Sequence, residues 1–181
     1  GPQRGQNHRG ARCLPMTPAV LMQGICKRFG AVQANDDVTL TVPAGTVHGI
    51  VGENGAGKST LMSILYGFYQ ADSGRITVEG QPARITGSRE AIAMGIGMVH
   101  QHFMLVEPLS ALDNIMLGAE PDWRLGPARA QVREKLDALM ADTGLQVRLD
   151  LAVEDLPVGE RQRLEILKTL YRGARILILD E

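Results

Sequence analysis

The sequence predicts an α/β domain that carries a mostly helical insertion. Three observations point there. Short apolar runs bounded by turn residues alternate with stretches of helical period over the first hundred residues. From about residue 104 to 156 the pattern becomes helical almost throughout. Near the C-terminus ARILILD, residues 174–180, is a short continuous apolar run of the kind carried by a buried parallel strand.

Composition bounds the reading. At 181 residues the chain has the length of one domain, and a domain of that size buries roughly 70% of its unfolded surface. Hydrophobic residues make up 44% and charged residues 22%, the balance of a soluble globular protein. A net charge of −1 gives no global pull toward nucleic acid or an anionic membrane. Cys13 and Cys26 fit neither a metal spacing nor a disulfide framework, which favours a reducing compartment. No apolar run approaches the roughly 18 residues of a membrane span. Residues 1–15, GPQRGQNHRGARCLP, are basic and without periodicity, and we expect a disordered leader or added sequence before Met16. The domain is then expected to occupy 16–181.

The elements follow in order. AVLMQGI, DVTLTV and TVHGIV read as strands, the last preceded by a turn at Pro43-Ala44-Gly45. STLMSILYGFY places Leu61, Ile64, Leu65 and Phe68 on one helix face. RITVEG and PARIT read as a hairpin around Glu79-Gly80-Gln81. SREAIAMG reads as a short helix capped by Ser88, and IGMVHQ as a strand. ARAQVREKLDALMADTG sets Val132, Leu136, Leu139 and Met140 in one stripe and stops at Gly144. ERQRLEILKTLYRG repeats the pattern with Leu164, Leu167, Leu170 and Tyr171.

Between the third strand and the first helix stands GENGAGKST, residues 52–60, which fits G-x-x-x-x-G-K-[ST]. The physics asks for that placement. Glycines at 52, 55 and 57 let the backbone turn its N–H groups inward as an anion nest, with Glu53, Asn54 and Ala56 contributing main chain. The helix N-terminus adds partial positive charge. Lys58 supplies a compact cation for β- and γ-phosphates, the Ser59 hydroxyl can ligate Mg²⁺, and Thr60 can reach the α-phosphate. ILILDE then ends an apolar strand in two acids. Asp180 suits Mg²⁺ through a water, and Glu181 can orient an attacking water.

With these motifs in place the sequence resembles the ATP-binding cassette (ABC) ATPases. GENGAGKST, the VHQHF around Gln101, LPVGERQ at 156–162 and ILILDE stand in that family's order, and the resemblance covers roughly residues 17–181. MVHQHFMLVEPLSALDNIMLG and ERQRLEILKTLYRGARILILDE look most like the import ATPases for nucleosides and simple sugars. The resemblance implies a P-loop NTPase core with an antiparallel β subdomain and a helical subdomain at about 104–158, incomplete at the C-terminus. It implies ATP and Mg²⁺ as ligands and ATP hydrolysis coupled to transport. Phe29 would stack on adenine, worth about 1 kcal/mol beyond its area. Gln101 would tie metal and attacking water to the helical insertion. His100 and His102, which flank it, read as packing or solvated residues because no ligand triad accompanies them.

Leu156, Pro157, Val158, Gly159 and Glu160 occupy the place of the family's Leu-Ser-Gly-Gly-Gln, which binds the γ-phosphate held by a second ATPase domain. Pro157 departs from that pattern by removing a hydroxyl and a backbone donor. Two readings stay open: a weakened half-site, or a helix-start residue without consequence. Beyond Glu181 the family carries a Pro-Thr step, a dimer-contact loop and a phosphate-sensing histidine, so we expect a fragment that binds nucleotide weakly and turns over little. Expected partners are a second ATPase domain in the same chain or a homodimer, membrane permease subunits, and indirectly an extracytoplasmic substrate-binding protein; no nucleic acid is expected. Phe103, Met104 and Glu107 are the expected permease contacts. The expected location is peripheral, on the cytoplasmic face of the membrane. Two rival functions stand beside this one. A soluble ABC protein acting on DNA or ribosomes would need a longer coiled-coil insertion. A small-molecule P-loop kinase would need an Arg-rich lid.

Overall fold

Val20–Phe29 (β1) and Val32–Val42 (β2) fold back on each other across Gly30-Ala31 in the computed structural model, which describes residues 17–100, 104–117 and 125–180. On the other side of β1 lies Ser73–Val78 (β3), antiparallel, followed by Gln81–Ala83 (β4). The connecting Glu79 and Gly80 both have positive φ, 49° and 78°, which matches the twist of a tight hairpin. The sheet order is β2-β1-β3-β4. Lys58–Tyr66 (α1) packs Leu61, Ile64 and Leu65 against Val20, Met22 and Ile25 of β1. Ser88–Ala93 (α2) precedes Ile96–Val99 (β5).

The helical part has its own core. Ala111–Met116 (α3), Leu125–Thr143 (α4), a 3₁₀ turn at Val153–Asp155 and Val158–Tyr171 (α5) bury Leu112, Ile115, Leu136, Val153, Leu164 and Leu167 together. Each such side chain contributes roughly 1.5–3 kcal/mol on burial. The stripe Val132-Leu136-Met140 that faces this core follows from i, i+4 spacing. The last strand, Ile176–Leu179 (β6), runs parallel to β5 in the register Ile96↔Ile176 to Val99↔Leu179. Ile96, Met98 and Ile178 join the first core, so α1 and the parallel pair share one apolar interior. Gly97 lets α5 settle on β5, since a Cβ there would lie 2.0 Å from Thr169 Cγ2. A bidentate pair from Arg175 to Glu79, 2.8 and 3.1 Å, ties the hairpin turn to the residue before β6.

Four expectations fail in detail. TVHGIV forms no strand: Val47 and Val51 are fully exposed, because among the described residues no strand lies beside the segment to complete its ladder. Phe68 leaves the helix face, since Gly67 ends α1 in a left-handed turn and Phe68 is half exposed. Ser88 is the first helical residue; an extended Gly87 holds the cap position and no side chain caps α2. β6 is buried along one face only: Ile178 is inside, whereas Leu179 is 66% exposed.

Asn114 explains how the turn before α3 is held. It is buried, its Oδ1 accepts from Val106 N–H at 2.7 Å, and its Nδ2 donates to the carbonyls of Val106, Leu109 and Ser110. Ser110 caps α3 reciprocally with Asp113: its Oγ accepts from Asp113 N–H at 3.1 Å and donates to Asp113 Oδ2 at 2.6 Å. Ser110 first, and Arg129 second, hold the Asp113 carboxyl below its usual range. A depressed carboxylate stabilises the fold above the unfolded value of about 3.9 and loses that contribution as pH falls through the folded one. Ser110→Ala is therefore expected to cost about 1 kcal/mol at pH 7 in urea unfolding, and less at pH 2–3.

Candidate functional site

The P-loop stretch turns on itself before α1 begins. Ala56 N–H donates to Glu53 carbonyl at 3.1 Å, and Gly55 and Gly57 both sit at φ +83°, in the left-handed region. Gly57 occupies the cap position of α1, no side chain caps the helix, and no acid stands in its first turn. The first N–H groups of α1, at Lys58, Ser59 and Thr60, therefore start a helix whose donors have no intrahelical partner. A helix end in that state is an anion site. The Lys58 ammonium lies back over the loop, donating to the carbonyls of Gly52 at 2.6 Å and Glu53 at 2.8 Å. Its charge is thus placed against the loop that would hold phosphate, on acceptors weaker than a phosphate oxygen.

Gly57 is fixed from outside the loop as well. A Cβ there would meet the Ala34 carbonyl at 2.1 Å, so β2 presses directly on the P-loop backbone. Asn35 Nδ2 donates to Gly57 carbonyl at 3.1 Å. That contact joins the P-loop to the hairpin that carries Phe29. Phe29 pairs with Val32 at the hairpin end, is 41% exposed, and meets Tyr69 edge-on at 5.0 Å with Lys27 Nζ 5.4 Å from its ring. The ring is partly exposed, and the Lys27 ammonium beside it is paired with Asp72 Oδ1 at 3.0 Å.

The parallel pair sets Asp180 at one edge of the sheet. Asp180 follows β6 and its N–H donates to Val99 carbonyl at 3.2 Å, so it stands beside the end of β5. Ligands of open α/β sheets bind outside the carboxyl ends of such strands. Gln101, Phe103 and Glu181 lie outside the described residues. Ser59 and Asp180 are hard oxygen donors of the kind Mg²⁺ takes, and a Mg²⁺ completed by phosphate oxygens and water needs no protein cage. Among the described residues no group of three His, Cys, Asp or Glu forms such a cage.

LPVGE opens α5. Leu156 is buried in the helical core, whereas Pro157, Val158 and Gly159 are exposed, with Pro157 at the cap and its carbonyl accepting from Glu160 and Arg161 N–H. Arg161 holds the preceding turn through the carbonyls of Glu154 and Leu156, both at 2.9 Å. Glu160 is engaged within the chain: Arg148 donates to its carboxylate at 2.9–3.3 Å and holds it below the usual carboxylate range. The exposed tip presented to a ligand is therefore Pro157-Val158-Gly159.

Sequence reasoning did not find Asn35, Tyr69 or a cavity of about 260 Å³ between β5, α2 and α5. Tyr66, Phe68, His100, Met104, Glu165 and Lys168 line it. Phe68 stacks on His100 at 5.5 Å, and Lys168, whose ammonium is pushed down by burial, donates to Met104 carbonyl at 2.9 Å. Of the lining residues, the sequence singled out Phe68, His100 and Met104, each for another role. Glu107, another expected contact, is exposed and lies 3.7 Å from Arg161.

The profile of the ABC transporter family matches residues 35–181. The chain is 45% identical over 166 residues to the guanosine import ATP-binding protein NupO of Bacillus subtilis, covering 92% of this chain and 32% of that protein. It is 46% identical over 162 residues to the nucleoside import ATP-binding protein NupA of Lactococcus lactis, and 44% over 167 to the ribose import ATP-binding protein RbsA 1 of Burkholderia thailandensis. These alignments take in 90% and 92% of this chain and 32% and 33% of those relatives. The chain thus spans about a third of the length of the curated relatives it matches. Among solved structures, the ADP conformation of MJ1267, an ATP-binding cassette of an ABC transporter, superposes with a TM-score of 0.79 at 26% identity, over 91% of this chain and 68% of that one.

Proposed function

This chain belongs to the ABC transporter family, and on that premise we propose that it is the nucleotide-binding part of an import ATPase for nucleosides or simple sugars. The observation that carries the reading is the P-loop geometry: a left-handed Gly57 opening an uncapped helix beside the Lys58 ammonium. In this reading residues 52–60 hold the triphosphate, Phe29 stacks on the base, and Lys58 neutralises phosphate charge in the transition state. Ser59, Asp180 and Gln101 would hold Mg²⁺, which would supply Lewis-acid neutralisation of phosphate charge. Glu181 and Gln101 place the attacking water. Residues 156–160 receive the γ-phosphate held by a second ATPase domain, with Pro157-Val158-Gly159 at the contact.

The part from about 104 to 158 is then the helical subdomain that meets a membrane permease. Its edge carries Met104 and Val106, exposed by 68% and 46%, next to the cavity rimmed by Phe68 and His100. Among the described residues no helix is long and apolar enough to cross a membrane, so attachment to the cytoplasmic face would run through that partner.

The intact protein is expected to co-purify with permease subunits from membrane extract and to hydrolyse MgATP in their presence. Recovery without a permease and no MgATP hydrolysis with one would refute the reading. Pro157→Ser is expected to raise the steady-state ATPase rate by restoring a hydroxyl and an N–H at the tip of α5; an unchanged or lower rate assigns Pro157 to helix initiation alone.

A further inference from the structure

Three polar side chains are buried among the described residues: Asn35, Asn114 and Glu165. Asn114 fills its bonds in holding the turn before α3, and Glu165, whose Oε1 has no partner, lines the cavity beside the helical part. Asn35 is the one of the three that touches the P-loop. It is 4% exposed, its Nδ2 makes one hydrogen bond, and its Oδ1 has no partner. A buried amide with an idle oxygen is worse packing than a leucine of similar volume. The position on β2 therefore keeps a donor for a purpose other than burial.

That donor meets the carbonyl of Gly57, which also accepts from Leu61 N–H at 2.9 Å. The peptide linking Gly57 to Lys58 is planar and trans, so its carbonyl and its N–H point in opposite directions. Holding the carbonyl toward Asn35 aims the Lys58 N–H, the first donor of α1, away from β2. Asn35 is itself held. Gln33 Nε2 donates to its backbone carbonyl at 2.7 Å, and Arg28 Nε donates to Gln33 Oε1 at 2.9 Å. Arg28 N–H donates in turn to Asp72 Oδ2 at 2.7 Å. A continuous line of hydrogen bonds runs from the residue before Phe29 to the P-loop.

We propose that Asn35 is a positioning residue for phosphate binding, clamping the Gly57 carbonyl so that the first amides of α1 stay aimed at the ligand. The proposal rests on the nucleotide reading of the P-loop. Because the clamp acts at the phosphate end, its loss falls on diphosphate affinity and spares the base.

The test is titration of the intact protein with mant-ADP, and displacement of mant-ADP by AMP, for the wild type, Asn35→Leu and Asn35→Ala. Asn35→Leu keeps the branched shape at a larger volume, Asn35→Ala truncates it, and both lose the donor without adding charge. The expected result is about tenfold weaker mant-ADP binding with AMP affinity changed less than about twofold. Mant-ADP binding equal to the wild type overturns the proposal, as does an equal loss for ADP and AMP, the mark of a general packing defect. Should Asn35→Leu fail to melt cooperatively, Asn35→Ala decides. Wild-type protein that binds neither nucleotide would instead refute the nucleotide reading, which separates the two failures.

Discussion

Lys58→Ala is expected to weaken ATP retention at least about thirtyfold while leaving the nucleotide-free fold intact. Lys58 is half-buried as a residue, and its ammonium donates to the main-chain carbonyls of Gly52 and Glu53 in exposed hydrogen bonds. Those bonds exchange for bonds to phosphate oxygens when nucleotide enters. Charge-assisted hydrogen bonds are worth about 1.5–3 kcal/mol each, roughly twice a neutral one, so the exchange favours the ligand. Its removal leaves the amide nest of 52–57 and the start of α1 to hold the triphosphate alone. The measurement is filter retention of radiolabelled ATP, with a thermal melt of the nucleotide-free protein as control. Unchanged retention by a variant that melts like the wild type would mean that the glycine-rich turn is a turn and nothing more. A variant that retains nothing and also melts early would shift the effect to the loop's own stability, which the two carbonyl bonds are too exposed to support.

How far the sequence carries depends on whether a feature is local. The helix after the P-loop was legible because Leu61, Ile64 and Leu65 repeat at helical spacing within one short window, and all three are buried. The hairpin at Glu79-Gly80 and the stop at Gly144 were legible because left-handed backbone asks for glycine at a fixed place. Residues 46–51 have the alternation of a strand but no neighbour in the described structure, and a ladder takes two strands. Ser88 had the chemistry of a cap but fell one residue inside the helix, where its hydroxyl no longer reaches the free donors. Asn35 left no local trace. Its partner stands 22 residues away, and only the packing of β2 on the P-loop brings them together. The same holds for the candidate site: the P-loop is contiguous and was read whole, whereas the neighbourhood of Asp180 at the end of β5 comes from strand pairing across 80 residues.

The second large effect is expected at Gly57, and Gly55 supplies its control. Both residues have φ +83°, so an alanine at either place suffers the same left-handed backbone, at a cost of about 1–2 kcal/mol. Their surroundings differ completely. Nothing lies within 4 Å of a Cβ at Gly55. At Gly57 the added carbon would stand 2.1 Å from the Ala34 carbonyl oxygen and 2.8 Å from Asn35 Nδ2. The first of these is main chain of β2, at a bulge between Gln33 and Asn35, which pair with β1, and it has no rotamer by which to move aside. Gly57→Ala must therefore either push the P-loop off β2 or unwind the start of α1, whose first hydrogen bond uses the Gly57 carbonyl. The expected penalty is about 3–5 kcal/mol in denaturant unfolding for Gly57→Ala, against about 1–2 kcal/mol for Gly55→Ala. ADP affinity should follow the same order, because displacement of Gly57 misaims the Lys58 amide, whereas a methyl at Gly55 meets open space. Equal penalties at the two positions would mean that β2 does not bear on the loop, and the link from Phe29 through Asn35 to the phosphate site would lose its physical basis.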